Sequence, residues 1–210
     1  MIDFTKHTIE CFDVKEQNIS HRFCSFDVNN NLTMTGTVII QASSRSNGDT
    51  GRIVEYMVSK YQFDKIDLQT KTIGHYDYEY KNKDDDFIGL ITDMINNYDT
   101  IIFATPVYWY SMSGILKVFF DRISDLLRVH KETGRKLRGK RMAMISCSNS
   151  DDLIAGFNMP FYESANYLGM HYLGDIHTYV KDNRLNEAVM GKIDQFVQHI
   201  EDYKAERVRN

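Results

Sequence analysis

Two short stretches of this sequence hold side chains suited to binding rather than packing. The first, SSRSNGDTG (Ser43–Gly51), gathers five hydroxyl or amide side chains, one arginine and two glycines, just ahead of an apolar-periodic run. A phosphate group asks for short hydroxyl donors, backbone N–H donors and the positive end of a helix dipole. Gly48 and Gly51 permit close backbone approach, Thr50 reads as the helix N-cap, and Arg45 brings a flat cation able to neutralise an anion. The stretch ends in no Gly-Lys-Ser/Thr and contains no Gly-x-Gly-x-x-Gly, so neither a Walker loop nor a dinucleotide fingerprint is present. It also lacks the cysteine that a phosphatase nucleophile of this type requires. What remains is a loop that holds a phosphate without breaking it, or a polar turn that merely caps its helix.

The second stretch, TPVYWYSMSG (Thr105–Gly114), places Tyr108, Trp109 and Tyr110 at the mouth of a turn, straight after the apolar run Ile101–Ala104. Rings bury the most area in cores, so a loop that leads with them is there to touch something. Ser111 or Ser113 is suited to cap the helix that follows, and Gly114 keeps its first turn thin. A phosphate cradle facing a loop with rings and backbone donors suits a ligand with a phosphate at one end and a flat heteroaromatic at the other. FMN is such a molecule; the alternative is that the rings form a lid or a subunit contact.

Which elements would bring the two stretches together follows from the hydrophobic pattern. Apolar strands are expected at Thr37–Ala42, Phe63–Leu68, Ile101–Ala104, Arg141–Ser146 and His171–Val180. Between and after them run amphipathic helices carrying Ile53, Val54, Met57 and Val58; Phe87, Ile88, Ile91, Met94 and Ile95; Ile115, Leu116, Phe119, Phe120, Ile123 and Leu127; a short one at Phe161–Leu168; and Val189, Ile193, Phe196, Val197 and Ile200. Strands alternating with helices predict an α/β, doubly wound, five-stranded parallel sheet of order 2-1-3-4-5 with helices on both faces. In such a sheet ligands bind beyond the carboxyl ends of the strands, at the switch point between strands one and three. The two stretches are the loops that leave those two ends.

Composition limits the function further. With 210 residues and a formal net charge of −4, the chain is one mildly acidic domain with no basic face for nucleic acid. No window approaches the roughly 18 apolar residues of a membrane span, and MIDFTKHTIECFDVK has no apolar signal region. The three cysteines, Cys11, Cys24 and Cys147, are odd in number and form no Cys-x-x-Cys, which fits a reducing, cytoplasmic compartment. Cys147 reads as a small buried hydrophobe near the ligand rather than a redox group. None of the seven histidines stands in a ligand-like pair, so no metal is expected. The basic run HKETGRKLRGKR (130–141) falls at the amino ends of the strands and reads as a solvated loop. HYDYEYKNKDDD (75–86) reads as a lid, a subunit contact or an irregular surface loop. Residues 1–35 stand outside the alternation, with IECFDV and FCSFDV as a conceivable hairpin and Met34 where a start would be. They read as an N-terminal extension, flexible or absent from the natural product, or else a small packed element, and residues 36–210 as the main domain.

Three segments, GTVIIQASSRSNGDTGRIVEYM, TPVYWYSMSGILKVFFDRISDLL and ISCSNSDDLIAGFNMPFYESANYLGMHYLG, resemble the NAD(P)H-dependent FMN reductase group of flavodoxin-like proteins, in order and spacing across about residues 36–200. The resemblance implies a flavodoxin-like fold, tightly bound FMN, NAD(P)H as electron donor and a homodimer. By that pattern Ser44, Arg45, Ser46, Asn47, Gly48, Asp49 and Thr50 would hold the phosphate. Thr105, Pro106, Val107, Tyr108 and Trp109 would flank the isoalloxazine, and Ser146, Ser148 and Asn149 would close the third side. The chain departs from many members in carrying CSNSDD where they have a glycine-rich turn.

Fold alone does not separate an enzyme from an electron carrier. A flavodoxin-type carrier stacks rings on both flavin faces and is strongly acidic, whereas here only one loop offers rings and the charge is small. An open face admits a nicotinamide, whose C4 must come within about 3–3.5 Å of the flavin N5 for hydride transfer. The expected activity is therefore passage of electrons from NAD(P)H to a small flat acceptor (a quinone, an azo or nitro compound, or free flavin) by ping-pong, with no protein acid or base nominated. A carrier without NAD(P)H oxidation and a non-catalytic interaction protein are the alternatives.

Overall fold

The computed structural model describes residues 24–26, 32–34 and 36–209. Its main sheet has five parallel strands: β1 (Thr37–Gln41), β2 (Asp64–Asp67), β3 (Thr100–Pro106), β4 (Arg141–Ser148) and β5 (His171–Tyr179). Their order is β2-β1-β3-β4-β5, which is the predicted 2-1-3-4-5. The helices are α1 (Asp49–Tyr61), α2 (Asp86–Asn97), α3 (Gly114–Arg128), α4 (Lys131–Arg135), α5 (Met159–Leu168) and α6 (Glu187–Arg209). The basic run is thus partly the short helix α4 rather than a plain loop. Of the N-terminal stretch, Cys24–Phe26 pairs antiparallel with Leu32–Met34; IECFDV lies outside the described residues.

The sheet separates two apolar cores, because side chains alternate across a strand. Val38 and Ile40 of β1 face the cluster that includes Phe87 of α2, Phe119 of α3 and Phe161 of α5. Ile39 faces the other, with Ile53 and Met57 of α1 and Ile193 and Val197 of α6. Phe103 of β3 meets the rings of Phe119, Phe120 and Phe161, which ties β3 to α3 and α5. Fully burying a side chain of this size contributes roughly 1.5–3 kcal/mol, so the strand ends that carry the two loops are firmly placed.

β3 runs two residues further at its carboxyl end than the apolar run suggests, pairing Pro106 with Cys147 of β4. Val107 N–H donates to the Cys147 carbonyl at 2.8 Å, and the Ala104 carbonyl accepts from Ala42 N–H at 2.8 Å. By alternation, the N–H that Pro106 lacks would have pointed toward β1, which has already ended at Gln41. Proline is tolerated there because no ladder bond is lost.

The tyrosine-rich segment is not a lid over the strand ends. Arg122 of α3, 1% exposed, uses all its donors: Nε goes to Asp125 of its own helix at 2.6 Å, and the two terminal nitrogens hold that segment through the carbonyls of Gly74 and Asn82 at 3.0 and 3.1 Å and a fork onto Asp85. Further on, Arg128 donates to Tyr76 Oη at 2.8 Å and Tyr80 bonds His130, at the far end of α3. The segment therefore lies along α3 and away from the cleft. Burial by itself would raise the Asp85 carboxyl, but Arg122 and the N–H groups of Gly74 and Phe87 hold it below the ordinary carboxylate range.

Candidate functional site

Beyond the carboxyl ends of β1, β3 and β4 lies a cleft of about 240 Å³ lined by Ser43, Arg45, Gly48, Asp49, Thr50, Pro106, Val107, Tyr108, Cys147, Ser148 and Asn149. A site that engulfs its ligand has roughly 300–1,000 Å³. This cleft is suited to enclose one part of a cofactor and leave the rest at the surface.

The wall after β1 is the open end of α1. Its N-cap is Gly48, with no side chain capping the helix, and Thr50 lies inside the first turn rather than at the cap the sequence suggested. The reason is that the helix begins two residues earlier than a Thr50 cap implies, at Asp49. A Cβ at Gly48 would meet only Arg45 atoms at 3.6 Å, so the backbone does not require glycine there. Gly51 is different. A Cβ there would stand 2.2 Å from the Ser46 carbonyl, so its close approach is to the loop's own backbone, not to a ligand. Gln41, fully buried at the end of β1, donates to that same carbonyl at 2.7 Å and to Asp67 at 3.3 Å, which fixes the loop from beneath.

The donor set of this wall fits a phosphate. The Thr50 hydroxyl and the Arg45 guanidinium have no hydrogen-bond or ion-pair partner among the described residues, while both line the cleft. Asp49, the one carboxylate on the wall, is engaged by Arg52 at 3.0 Å, which offsets its repulsion of an anion. Ser44, Ser46 and Asn47 belong to the same loop but are exposed and do not line the cleft.

The wall after β3 is a tight hairpin. Tyr108 and Ser111 exchange backbone bonds at 2.9 and 3.1 Å, and the two residues between them, Trp109 (φ 49°) and Tyr110 (φ 63°), are both left-handed. Such a two-residue turn favours Asn-Gly, and each non-glycine residue held there costs of order 1–3 kcal/mol. The turn lifts Trp109 to 94% exposure and Tyr110 to 71%, so Tyr108, not Trp109, lines the cleft. Ser113 caps α3, accepting from Leu116 N–H at 3.2 Å while donating to the Ala42 carbonyl at 2.7 Å. Thr105 is fully buried, and its hydroxyl accepts from Ser113 N–H at 3.0 Å. Thr105 thus shapes the hairpin from inside and does not face the cleft.

The wall after β4 brings Cys147, Ser148 and Asn149 to the cleft and turns Ser146 away from it. Ser146 is fully buried and its Oγ lies 2.8 Å from His177 Nδ1. Burial, then the neighbouring Asp49 carboxylate, push the Cys147 thiol up to about 12, so it stays protonated and unreactive at neutral pH. Three contributors were not assigned a site role from the sequence: Ser43, Gln41 and His177. Ser43 was legible as part of the polar loop, and the other two sit inside strands with no motif around them. Among the described residues no cluster of histidine, cysteine and carboxylates has the arrangement of a metal centre.

Comparison with known proteins gives this geometry a family. The family model described as NADPH-dependent FMN reductase matches residues 35–183. YwqN of Bacillus subtilis (strain 168), an NAD(P)H-dependent FMN-containing oxidoreductase by name, is 27% identical over 146 residues, covering 65% of this chain and 80% of the relative. An NADPH azoreductase of Bacillus sp. (strain OY1-2) is 26% identical over 94 residues, 45% of this chain and 53% of that protein. In fold, an NADPH-quinone reductase from P. pentosaceus superposes with a TM-score of 0.59 at 17% identity, over 79% of this chain and 97% of that one. An FMN-dependent NADH-azoreductase from Bacillus anthracis, solved with FMN, gives 0.55 at 15% identity, over 84% and 100%. The chain belongs to the NADPH-dependent FMN reductase family, on the flavodoxin-like fold.

Proposed function

We propose that the protein passes electrons from NAD(P)H to a small flat acceptor (a quinone, an azo or nitro compound, or free flavin) in two half-reactions at the same open face of bound FMN. The observation that carries this reading is the uncapped N-terminus of α1, opening on the cleft beside the unpaired Arg45 and Thr50 and opposite Tyr108. Four backbone N–H groups of a helix start have no partner within the helix, and their dipole favours an anion. In this reading Asp49 and Thr50 offer N–H donors to the phosphate, with the Thr50 hydroxyl and Arg45 beside them, while the Gly48 N–H is turned back to the Arg45 carbonyl at 3.5 Å. Ser44, Ser46 and Asn47 add exposed donors from the loop's outer edge. Pro106, Val107, Tyr108, Ser148 and Asn149 border the ring, and no aromatic side chain of the β4 wall covers its second face. When bound, FMN supplies the hydride-accepting ring; the chain supplies placement and the exclusion of water. Trp109 and Tyr110 stand clear of their own core, which supports a homodimer in which a second copy covers them. The odd cysteine count with no Cys-x-x-Cys supports a reducing, cytoplasmic setting, and among the described residues no helix is long and apolar enough to cross a membrane.

The test is the absorption spectrum of the protein after FMN loading and desalting, followed anaerobically under NADPH and then NADH. A retained flavin band that bleaches within seconds is expected and identifies the donor. A retained band that neither nucleotide bleaches assigns an electron carrier instead, and no retained band removes the flavin reading. In the same assay Arg45→Ala with Thr50→Val is expected to weaken FMN binding by a few kcal/mol, at roughly 1.5–3 per bond to a charged group.

A further inference from the structure

His177, near the carboxyl end of β5, is 7% exposed and cross-strand from Ser146. Its Nδ1 lies 2.8 Å from Ser146 Oγ, and its Nε2 lies 2.9 Å from the Ser150 carbonyl and 3.1 Å from Ser148 Oγ. Ser148 Oγ in turn donates to the Ser150 carbonyl at 2.7 Å and accepts from Ser150 N–H at 3.2 Å. The Ser150 carbonyl only accepts, so its 2.9 Å contact requires a proton on Nε2, while the Ser146 hydroxyl has Nδ1 at 2.8 Å and the more distant Ile176 carbonyl at 3.5 Å to donate to. Ser146 Oγ–H donates to Nδ1, while Nε2–H and Ser148 Oγ–H both donate to the Ser150 carbonyl, whose two lone pairs accept them. The network thus selects the Nε2–H tautomer.

The turn that this imidazole reaches is the β4 wall of the cleft, where Ser148 and Asn149 line the site. Among the described residues no backbone–backbone hydrogen bond joins residues 149–153 to anything, and Asn149 and Ser150 are exposed. An exposed turn without a backbone ladder or a glycine-set conformation takes its shape from whatever anchors it. Here the buried anchor is His177, acting on Ser150 and Ser148 from beneath.

We propose that His177 is a positioning residue of the flavin site, setting through Nε2 the geometry of the Ser148–Asn149 wall that borders the cofactor. The inference rests on the FMN reading, and its test separates the two. In His177→Gln the amide nitrogen reaches about where Nε2 stands and still donates to the Ser150 carbonyl. In His177→Asn it reaches only the Nδ1 position, leaving that carbonyl without its buried donor. FMN affinity is expected to stay within about threefold of the parent in His177→Gln and to fall about tenfold in His177→Asn, the factor for one lost hydrogen bond. Melting temperatures of the two flavin-free variants are expected to lie close together. Amide exchange at Asn149–Asp152 in the flavin-free proteins is expected to quicken in His177→Asn and not in His177→Gln.

Equal losses of affinity in the two variants, or no loss in either, would overturn the proposal, because packing alone would then account for the residue. So would equal exchange at the turn. Failure of the parent itself to retain FMN would sink the flavin reading instead, and the exchange comparison would still decide whether His177 holds the turn.

Discussion

The loops after β1 and β3 face each other across one cleft and each leads into a long helix, yet the two helices start in opposite ways. α3 is capped by a side chain. Ser113 accepts from Leu116 N–H and donates to the Ala42 carbonyl, so its hydroxyl closes the helix and ties one loop to the other. α1 starts at Gly48 with no cap, although a side chain would fit there. A helix start left open on a cleft is where an anion is accepted, and one already closed is scaffold. Strain is distributed the other way. The β1 loop is relaxed and held by the buried Gln41, whereas the β3 hairpin keeps Trp109 and Tyr110 left-handed. Strain of this kind persists only where the surrounding structure over-determines it, and it gathers at functional sites. On the proposed reading, the phosphate end of the site is built by omission and the ring end by force.

Four variants would break or sharpen that contrast. The largest effect is expected from Gly51→Ala. Alanine improves helix propensity by about 1 kcal/mol, but the 2.2 Å approach of its Cβ to the Ser46 carbonyl must push the loop away. FMN affinity should fall by about 1–3 kcal/mol, the usual cost of overpacking, as read by fluorescence titration. An unchanged affinity would mean that the loop's internal fold does not matter to the ligand. Ser113→Ala comes next: a lost cap and an abandoned Ala42 carbonyl should lower stability by about 2 kcal/mol. Denaturant melts should show this loss with FMN and without it. A loss that FMN abolishes would place Ser113 in the binding site and undo the contrast.

Trp109→Asn with Tyr110→Gly should stabilise the protein by about 1 kcal/mol, because the turn then carries the residues its backbone favours. The same variant should lose turnover or dimer, measured by NADPH oxidation and by sedimentation. Full retention of both would leave the exposed rings without a role. The smallest effect is expected from Gly48→Ser. A serine cap should raise flavin-free stability by a few tenths of a kcal/mol and weaken FMN binding by a similar amount, since both compete for the same N–H groups. Stronger FMN binding in this variant would show that the phosphate lies elsewhere.

Much of this was legible before any coordinates. β1, β3 and β4 read as strands because their centres are apolar on both faces, as in buried parallel strands, and the Ser43–Gly51 and Thr105–Gly114 loops follow the ends of β1 and β3. Less legible was how far each strand runs. Thr105 and Ser146 look like donors on a one-dimensional string, but β3 and β4 continue past them, and continued pairing turns both hydroxyls inward to Ser113 and His177. The segment 75–86 could not be placed either. Its path depends on Arg122, a mid-helix arginine that looks solvent-facing in sequence and is in fact among the most buried side chains.

By itself the sequence determined the class of sheet, the order of its strands, and which two loops converge on one cleft, because periodicity and connection handedness act locally along the chain. Only the tertiary structure decided which atoms in those loops are free to bind. Whether a hydroxyl, a guanidinium or a helix end is still unpartnered depends on what the rest of the fold brings within about 3 Å of it, and that is set by residues such as Gln41, Arg122 and His177, distant in sequence from the loops they hold.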